Sequence, residues 1–507
     1  MMENFIDIKG LFSFTNLTVL PALMIFLISA LSVVYNAIFT KNHLRSGIMS
    51  LACASSIIAI LSVNYIVTFV AIEGLSGLCF LLVLLSKKLK RRLAISYFLI
   101  HAFAGVLMVV AIMLNFYDTG SFAIQKASTD FLTKDIIMLL SLAINVASFP
   151  FTSWYFRTYQ RTDSFSLVLL SAITTKTSFF VLWKIIPGSA ILFEIGFITL
   201  IFALIFGFVT TNIIKFLLIT SVASMGFTIM AVSYHGFLIT DGISSEINFQ
   251  LVWYIASSVF SIGGFLVLYG FITNNECRDN SFYSIRNYFE ESGSSLHFVI
   301  PAIVFGLCLA SFPLTASFIA KGNITKFFVE DKALYYTLKA SGIAFMMFAI
   351  KLIIPVCYSV EFFRLDSKGK RLAGILYAFV GILMLINIVF FVISRTKLNL
   401  FYISVEFFIF IAYSFVAGFL LFMLEFALKV THAKKLVEVI TGDYAFLRGL
   451  VLYSAHKIRA NYHIAIEVLM GKKQKLKGLL AFSKIPPFVL MSCAIFFVVG
   501  LLTKILF

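Results

Sequence analysis

The chain has 507 residues, 61% of them hydrophobic and only 12% charged, with a mean hydropathy of +1.02. A soluble domain carries about 25% charged residues, so a soluble globular protein is excluded and a polytopic membrane protein is indicated. The formal charge of +17 is therefore read first as loop topology, not as a nucleic-acid footprint.

In chain order, Met1–Thr15 carries Glu3 and Asp7 and no basic stretch ahead of an apolar core, so no cleavable signal is expected. Apolar runs follow at 18–40, 46–63, 64–86, 94–114, 135–151, 165–186, 190–210, 215–234, 249–271, 297–318, 340–363, 372–394, 400–424 and 488–507. A span needs roughly 20 residues, which predicts an all-α membrane protein of about fourteen transmembrane helices. Cations cluster after odd-numbered runs: Lys41 and Arg45, then Lys87 to Arg92, Arg157 and Arg161, Arg364 to Arg371, and the basic stretch 429–484. Loops after even-numbered runs are poorer in cations or mixed; only 272–296, after the ninth run, breaks the pattern, being net acidic through Glu276, Asp279, Glu290 and Glu291. The positive-inside rule then places both termini on the non-cytoplasmic side. Within the basic segment 428–487, Val430 to Met470 alternates apolar and basic positions at helical spacing, which suits an amphipathic helix on the cytoplasmic interface, or a surface for a partner subunit. The six cysteines are scattered without a C-x-x-C pair, so neither a disulfide nor a metal site is expected. No G-x-x-x-x-G-K-[ST] occurs, so no nucleotide cradle, and no other cofactor site, is expected.

One pattern recurs. Ser148-Phe149-Pro150-Phe151-Thr152 ends one apolar run and Ser311-Phe312-Pro313-Leu314-Thr315 ends another. Pro150 and Pro313 each interrupt a helical ladder, which a membrane tolerates only where protein or water re-satisfies the freed groups. Two broken helices in one chain point to an ion pathway in a transporter.

Ionisable groups inside the spans cost about 2.5 to 3.5 kcal/mol at a helix centre, so each needs a reason. Glu73, in Ala71-Ile72-Glu73-Gly74, could exchange protons among helices or lie at an interface. Lys176, mid-run in Thr174-Thr175-Lys176-Thr177, suits a proton relay better than snorkelling. Lys321 follows the second broken motif, as a relay lysine or an interfacial one. Lys351 serves either a pathway or a pair with Glu361. His101 either carries protons or bridges helices by a hydrogen bond.

Taken together these motifs resemble the antiporter-like membrane subunits shared by Mrp-type multisubunit sodium/proton antiporters and respiratory complex I. Glu73-Gly74-Leu75-Ser76 is similar to the family's glutamate helix, and Asn145 to Trp154 to its first broken helix. Leu170 to Thr177 is similar to the lysine helix, Asn212 to Gly226 to the "DxRRxLAYSSxxxxG" stretch, and Ser311 to Lys321 to the second broken helix. Thr174-Thr175-Lys176, Asn145 and Ile350 to Pro355 look closer to the D-type antiporter subunits of the Mrp complexes. The resemblance implies two inverted five-helix repeats, each with a broken helix, working inside a hetero-oligomer in a cell inner membrane. It divides the chain into N-terminal helices (1–63), a first repeat (64–234), a second repeat with following helices (235–427), the basic segment 428–487 and a last helix (488–507). Departures from the family are two helices before Glu73 where four are usual, Asn145 in place of a lysine, and Thr152 in place of a histidine. A lysine usual in the tenth family helix is also missing, with Ser258, Ser261 and Gly263 around its position.

The favoured reading is a proton-translocating subunit of a cation/proton antiporter, using Glu73, Lys176 and Lys321, with Lys351, His101, Asn145 and Ser261 along the pathway. Its partners are other membrane subunits, lipid and protons, with sodium as a candidate counter-ion and no nucleic acid. Such a subunit is not itself an enzyme. The alternatives are a non-redox membrane-arm subunit of an NADH:quinone oxidoreductase and a structural subunit that has lost transport.

Overall fold

A computed structural model of the protein describes residues 11–86, 91–125, 132–186, 188–237, 243–275, 280–292, 295–312, 315–326, 332–357 and 367–394. Among these residues the chain is helical, with isolated β-bridges and no strand. The helices are α1 (Asn16–Thr40), α2 (His43–Leu61), α3 (Tyr65–Leu84), α4 (Arg91–Thr119), α5 (Thr133–Val146), α6 (Ser153–Tyr159), α7 (Ser164–Ile185) and α8 (Ala190–Val209). They continue as α9 (Ile213–Phe237), α10 (Ile243–Asn275), α11 (Phe282–Ser292), α12 (Leu296–Leu309), α13 (Ala316–Lys326), α14 (Lys332–Cys357) and α15 (Ser367–Ser394). Ten of them are long and apolar enough to cross a membrane. Every apolar run up to 372–394 coincides with one helix or with a broken pair; 400–424, 428–487 and 488–507 lie outside the described residues. The acidic stretch 272–296, expected as a loop, holds the short helix α11.

Three helices make the centre. The membrane-length windows of α7, α9 and α10 are almost entirely buried, whereas α1 to α4, α8, α14 and α15 bury about half of theirs or less. A helix apolar on all sides belongs in the middle of a bundle, and shielding from lipid lets these three carry polar side chains. On α7 alone Ser171, Thr174, Thr175, Lys176, Thr177 and Ser178 are buried. Several hydroxyls are satisfied within their own helix, Thr174 donating to the Leu170 carbonyl at 2.7 Å and Thr228 to Ser224 at 2.7 Å. Such back-bonding leaves no unpaired donor in an apolar interior. Helices α8 and α9 approach most closely at Gly196 and Gly226, where a Cβ on either would run into the backbone of the other. Small residues at such a crossing let helices pack in lipid without a hydrophobic driving force.

Both predicted breaks are present, and both are built the same way. Helix α5 ends in a left-handed residue, Ala147 at φ 59°, and α12 is followed by Ser311 at φ 56°. In the first, the Ala147 amide donates to Ile144 and the Ser148 amide to Ala143; in the second, Ser311 donates to Cys308 and Phe312 to Leu307. This is the Schellman arrangement, in which the residues after a helix satisfy its last carbonyls. The helices therefore stop before the proline position, and the equivalent residues are Ala147 and Ser311. That register is one residue out of step with the Ser-Phe-Pro echo of the sequence, which pairs Ser148 with Ser311. Pro150 lies in the gap between α5 and α6; Pro313 lies outside the described residues. The second half-helices are tied back over the gaps: the Trp154 indole donates to the Ile144 carbonyl at 2.9 Å, and the Ser317 hydroxyl to Cys308 at 2.8 Å. Asn387 of α15 accepts from the Ala316 amide at the start of α13 at 2.7 Å.

A buried ion pair secures one end of the bundle. Arg45 at the start of α2 meets Asp163, just before α7, at 3.1 Å and donates to the Leu85 carbonyl after α3 at 3.2 Å. The Asp163 amide in turn donates to Ser86 at 2.9 Å. Arg45, which charge counting assigns to loop topology, thus joins three helix ends. Removing one partner of such a pair strands a buried charge, at a cost of about 3 to 5 kcal/mol.

Candidate functional site

The site begins at Glu73 on α3. Its carboxyl rests on bare backbone, because a Cβ at Gly105 of α4 would overlap Glu73 Oε1 and Cδ. Glu73 Oε1 is buried without a hydrogen-bond partner among the described residues. One turn earlier on α4 stands His101, 3% exposed, on the same helical face as Gly105. Its Nδ1 lies 2.7 Å from Asn145 Oδ1 of α5. With the amide oxygen as acceptor, the ring proton sits on Nδ1 and leaves Nε2 as the basic atom. Nε2 is buried and likewise without a partner among the described residues. Asn145 thus orients a histidine.

An aromatic cluster from the half-helix α6 carries the line inward. The His101 ring packs against Trp154 with centroids 4.5 Å apart and against Tyr97 at 4.3 Å. Trp154 in turn meets Tyr155 at 5.6 Å and Tyr159 at 5.7 Å. Both tyrosines then point polar tips at the central helices. Tyr155 donates to Ser221 of α9 at 3.5 Å, and Tyr159 to Thr174 of α7 at 3.1 Å. These three aromatics are on α6 because the break after α5 lets a short helix turn its side chains into the bundle.

Lys176 ends this stretch. It is 2% exposed, and its ammonium donates to Ser221 Oγ at 2.5 Å, to Thr175 Oγ1 at 3.2 Å and to the Ser171 carbonyl at 3.3 Å. All its acceptors are neutral. Neither ion pair found among the described residues involves it.

Lys321 of α13 has different company. It is 8% exposed and lies over the rings of Phe345 at 4.6 Å and Phe227 at 5.5 Å. Aromatic faces stabilise a cation by about 0.5 to 2 kcal/mol but accept no proton. Ser261 of α10 is buried and uses its hydroxyl proton on the Ser257 carbonyl at 2.7 Å.

Lys351 is drawn to a helix end. Its ammonium donates to the carbonyls of Gly207, Phe208 and Thr210, at 3.4, 3.3 and 2.9 Å, at the C-terminus of α8. It also sits over Phe216 at 4.7 Å. A cation there complements the helix dipole and occupies carbonyls left over by the last turn. Glu361, its other expected partner, lies outside the described residues. Sequence reading missed the matching residue, Lys184 of α7, which donates to the carbonyls of Ala59 at 3.1 Å and Ile60 at 3.2 Å and also to that of Ser62, at the C-terminus of α2. It also missed the contacts of Tyr155 with Ser221 and of Tyr159 with Thr174. A signal was available for both: the three aromatics after the first break, and a second lysine eight positions after Lys176.

The family model for the transmembrane region described as NADH:quinone oxidoreductase/Mrp antiporter matches residues 62–354. NADH-quinone oxidoreductase subunit N of Beutenbergia cavernae is 26% identical over 278 residues, covering 50% of this chain and 51% of that protein. The chain thus spans about half the length of this curated relative. Among solved structures, a chain of respiratory complex I from Thermus thermophilus aligns with a TM-score of 0.59 at 14% identity, covering 75% of this chain and 85% of that one. A chain of the Mrp complex from Dietzia sp. DQ12-45-1b aligns with a TM-score of 0.58 at 15% identity, covering 70% and 68%. At these identities the structural likeness is one of fold.

Proposed function

Because the chain belongs to the NADH:quinone oxidoreductase/Mrp antiporter transmembrane family, we propose that it is a proton-translocating membrane subunit of a multisubunit complex. Protons enter at Glu73, pass the His101–Asn145 pair and the α6 tyrosines, reach Lys176, and continue toward Lys321. The observation that carries this reading is Lys176: a buried ammonium held by neutral hydroxyl and carbonyl acceptors, at the end of a polar and aromatic line that starts at a buried acid. Ion-pair architecture would have placed a carboxylate beside it. The subunit carries no redox chemistry of its own in this reading. Its lodging is a bacterial cytoplasmic membrane, among other membrane subunits.

The type of complex has support on both sides. The name of the Beutenbergia relative favours a membrane-arm subunit of an NADH:quinone oxidoreductase. Asn145 and the Thr174-Thr175-Lys176 sequence favour an Mrp-type antiporter, with this chain in the place of its D-type component. Purifying the intact complex and identifying its partners separates the two: hydrophilic redox subunits in the first case, small membrane subunits in the second.

Transport is tested in vesicles holding the whole complex, by the pH gradient formed per assembled complex. Lys176→Ala and Glu73→Gln are expected to lose it while the complex still assembles. Unchanged gradients in both variants would leave a structural subunit without transport.

A further inference from the structure

The junctions between α2 and α3 and between α8 and α9 share their backbone hydrogen bonds, their asparagine caps and a lysine on the last carbonyls. Helix α2 ends at Leu61 and α8 at Val209; α3 begins at Tyr65 and α9 at Ile213. The Ser62 amide donates to Ile58, and the Thr210 amide to Phe206. Asn64 caps the start of α3 through its side chain, and Asn212 the start of α9. Asn64 forms an antiparallel bridge with Ala123, and Asn212 forms one with Ser281. Around these bridges Tyr65 donates to Phe122 and Ile124 to Val63, while Ile213 donates to Asn280 and Phe282 to Thr211. Finally, Lys184 from α7 holds the carbonyls of Ala59, Ile60 and Ser62, as Lys351 from α14 holds those of Gly207, Phe208 and Thr210.

Each pair across the two junctions, from Ile58 and Phe206 to Tyr65 and Ile213, is 148 positions apart. Continuing that register along α3 and α9, which run unbroken from these starts, brings Glu73 onto Ser221. The same comparison brings Lys184 onto Lys351 and therefore Lys176, eight positions earlier on its helix, onto Ile343.

We propose that Ser221 is the second-half counterpart of Glu73 and the positioning residue that holds Lys176 at the seam between the two halves. The acid has become a hydroxyl at the position where the first half's lysine reaches across. Ser221 Oγ accepts from Lys176 at 2.5 Å and from Tyr155 at 3.5 Å, so it joins the lysine to the aromatic line from His101. A carboxylate in its place would pair with the ammonium and hold it charged; a hydroxyl accepts the same hydrogen bond and leaves the lysine free to give up its proton. With neither an acid at 221 nor a lysine at 343, the second half does not repeat the first. It prolongs one relay.

This inference rests on the proposed proton relay, and its test is built to fail separately. Proton translocation per assembled complex is compared for Ser221→Ala, Ser221→Cys and Ser221→Thr in vesicles, with Lys176→Ala alongside. Losing a hydrogen bond to a charged group is expected to cost Ser221→Ala about tenfold to a hundredfold. Ser221→Cys keeps the volume and offers a weak acceptor, so it is expected to lose activity too, and it stands in should the alanine variant not assemble. Ser221→Thr keeps the hydroxyl and is expected to restore most of the activity. Full activity in Ser221→Ala or Ser221→Cys, or equal losses with Thr and Ala, would overturn the role of Ser221 while a loss in Lys176→Ala keeps the relay. Full activity in Lys176→Ala would remove the relay itself and this inference with it.

Discussion

Lys176 of α7 and Lys321 of α13 are both deeply buried lysines, and they differ in what surrounds the charge. Lys176 has three oxygen acceptors and, through Ser221 and Tyr155, a connection to other polar groups. Lys321 has two phenylalanine faces. The two charges therefore have different surroundings, oxygen acceptors at Lys176 and aromatic faces at Lys321. Lys184 and Lys351 supply the contrast from the other side. They are half-buried, and each donates to the carbonyls of a helix end. These four lysines thus have three kinds of surroundings: hydroxyl and carbonyl acceptors, aromatic rings, and the carbonyls of a helix end.

The strongest way to break this comparison is to remove the two buried lysines one at a time. Positioned acid–base groups contribute about 100-fold or more, so Lys176→Ala is expected to lower proton translocation by roughly that factor. Lys321→Ala is expected to cost less, about tenfold, because the cation–π contacts it loses are worth about 0.5 to 2 kcal/mol. Equal losses measured as initial rates of vesicle acidification would erase the distinction. At the entrance, Gly105→Ala forces the Glu73 carboxyl off the α4 backbone. We expect about a threefold to tenfold drop in the same assay, since misplacing a reacting group is costly, with no comparable drop for Gly77→Ala, where a Cβ meets nothing within 4 Å. The smallest effects belong to the caps. Lys184→Met and Lys351→Met are each expected to destabilise by about 1 to 2 kcal/mol, read as a lower Tm of the purified complex, with translocation per assembled complex unchanged. A loss of transport without a loss of Tm would move either lysine from cap to relay.

How much of this was legible in the sequence depends on how local the cause was. Apolar runs located the helices because lipid or bundle burial acts on each run separately, and the broken pairs showed as runs interrupted near a proline. Lys176 stood out because about ten residues of apolar chain on either side leave it no route to an interface. The contact of Lys351 with a helix end was not legible. The carbonyls it serves lie in α8, more than 140 positions away, and only packing brings them to it. Arg45 is a similar case: its partner Asp163 is far along the chain, so a buried ion pair reads in sequence as one more loop cation. The register of the two breaks was off by one because the echo was matched on proline, while the stop is set by the left-handed residues Ala147 and Ser311. His101 and Asn145 were each visible as polar residues in apolar helices, but their pairing across α4 and α5 was not.

The central claim is that Glu73 and Lys176 belong to one route. A double-mutant cycle tests it most directly, with proton translocation measured per assembled complex for Glu73→Gln, Lys176→Ala and the double variant. Residues that act in one route are strongly non-additive. The account predicts that the double variant is no worse than the more impaired single variant. Losses that multiply would contradict it, because they would mean two independent routes.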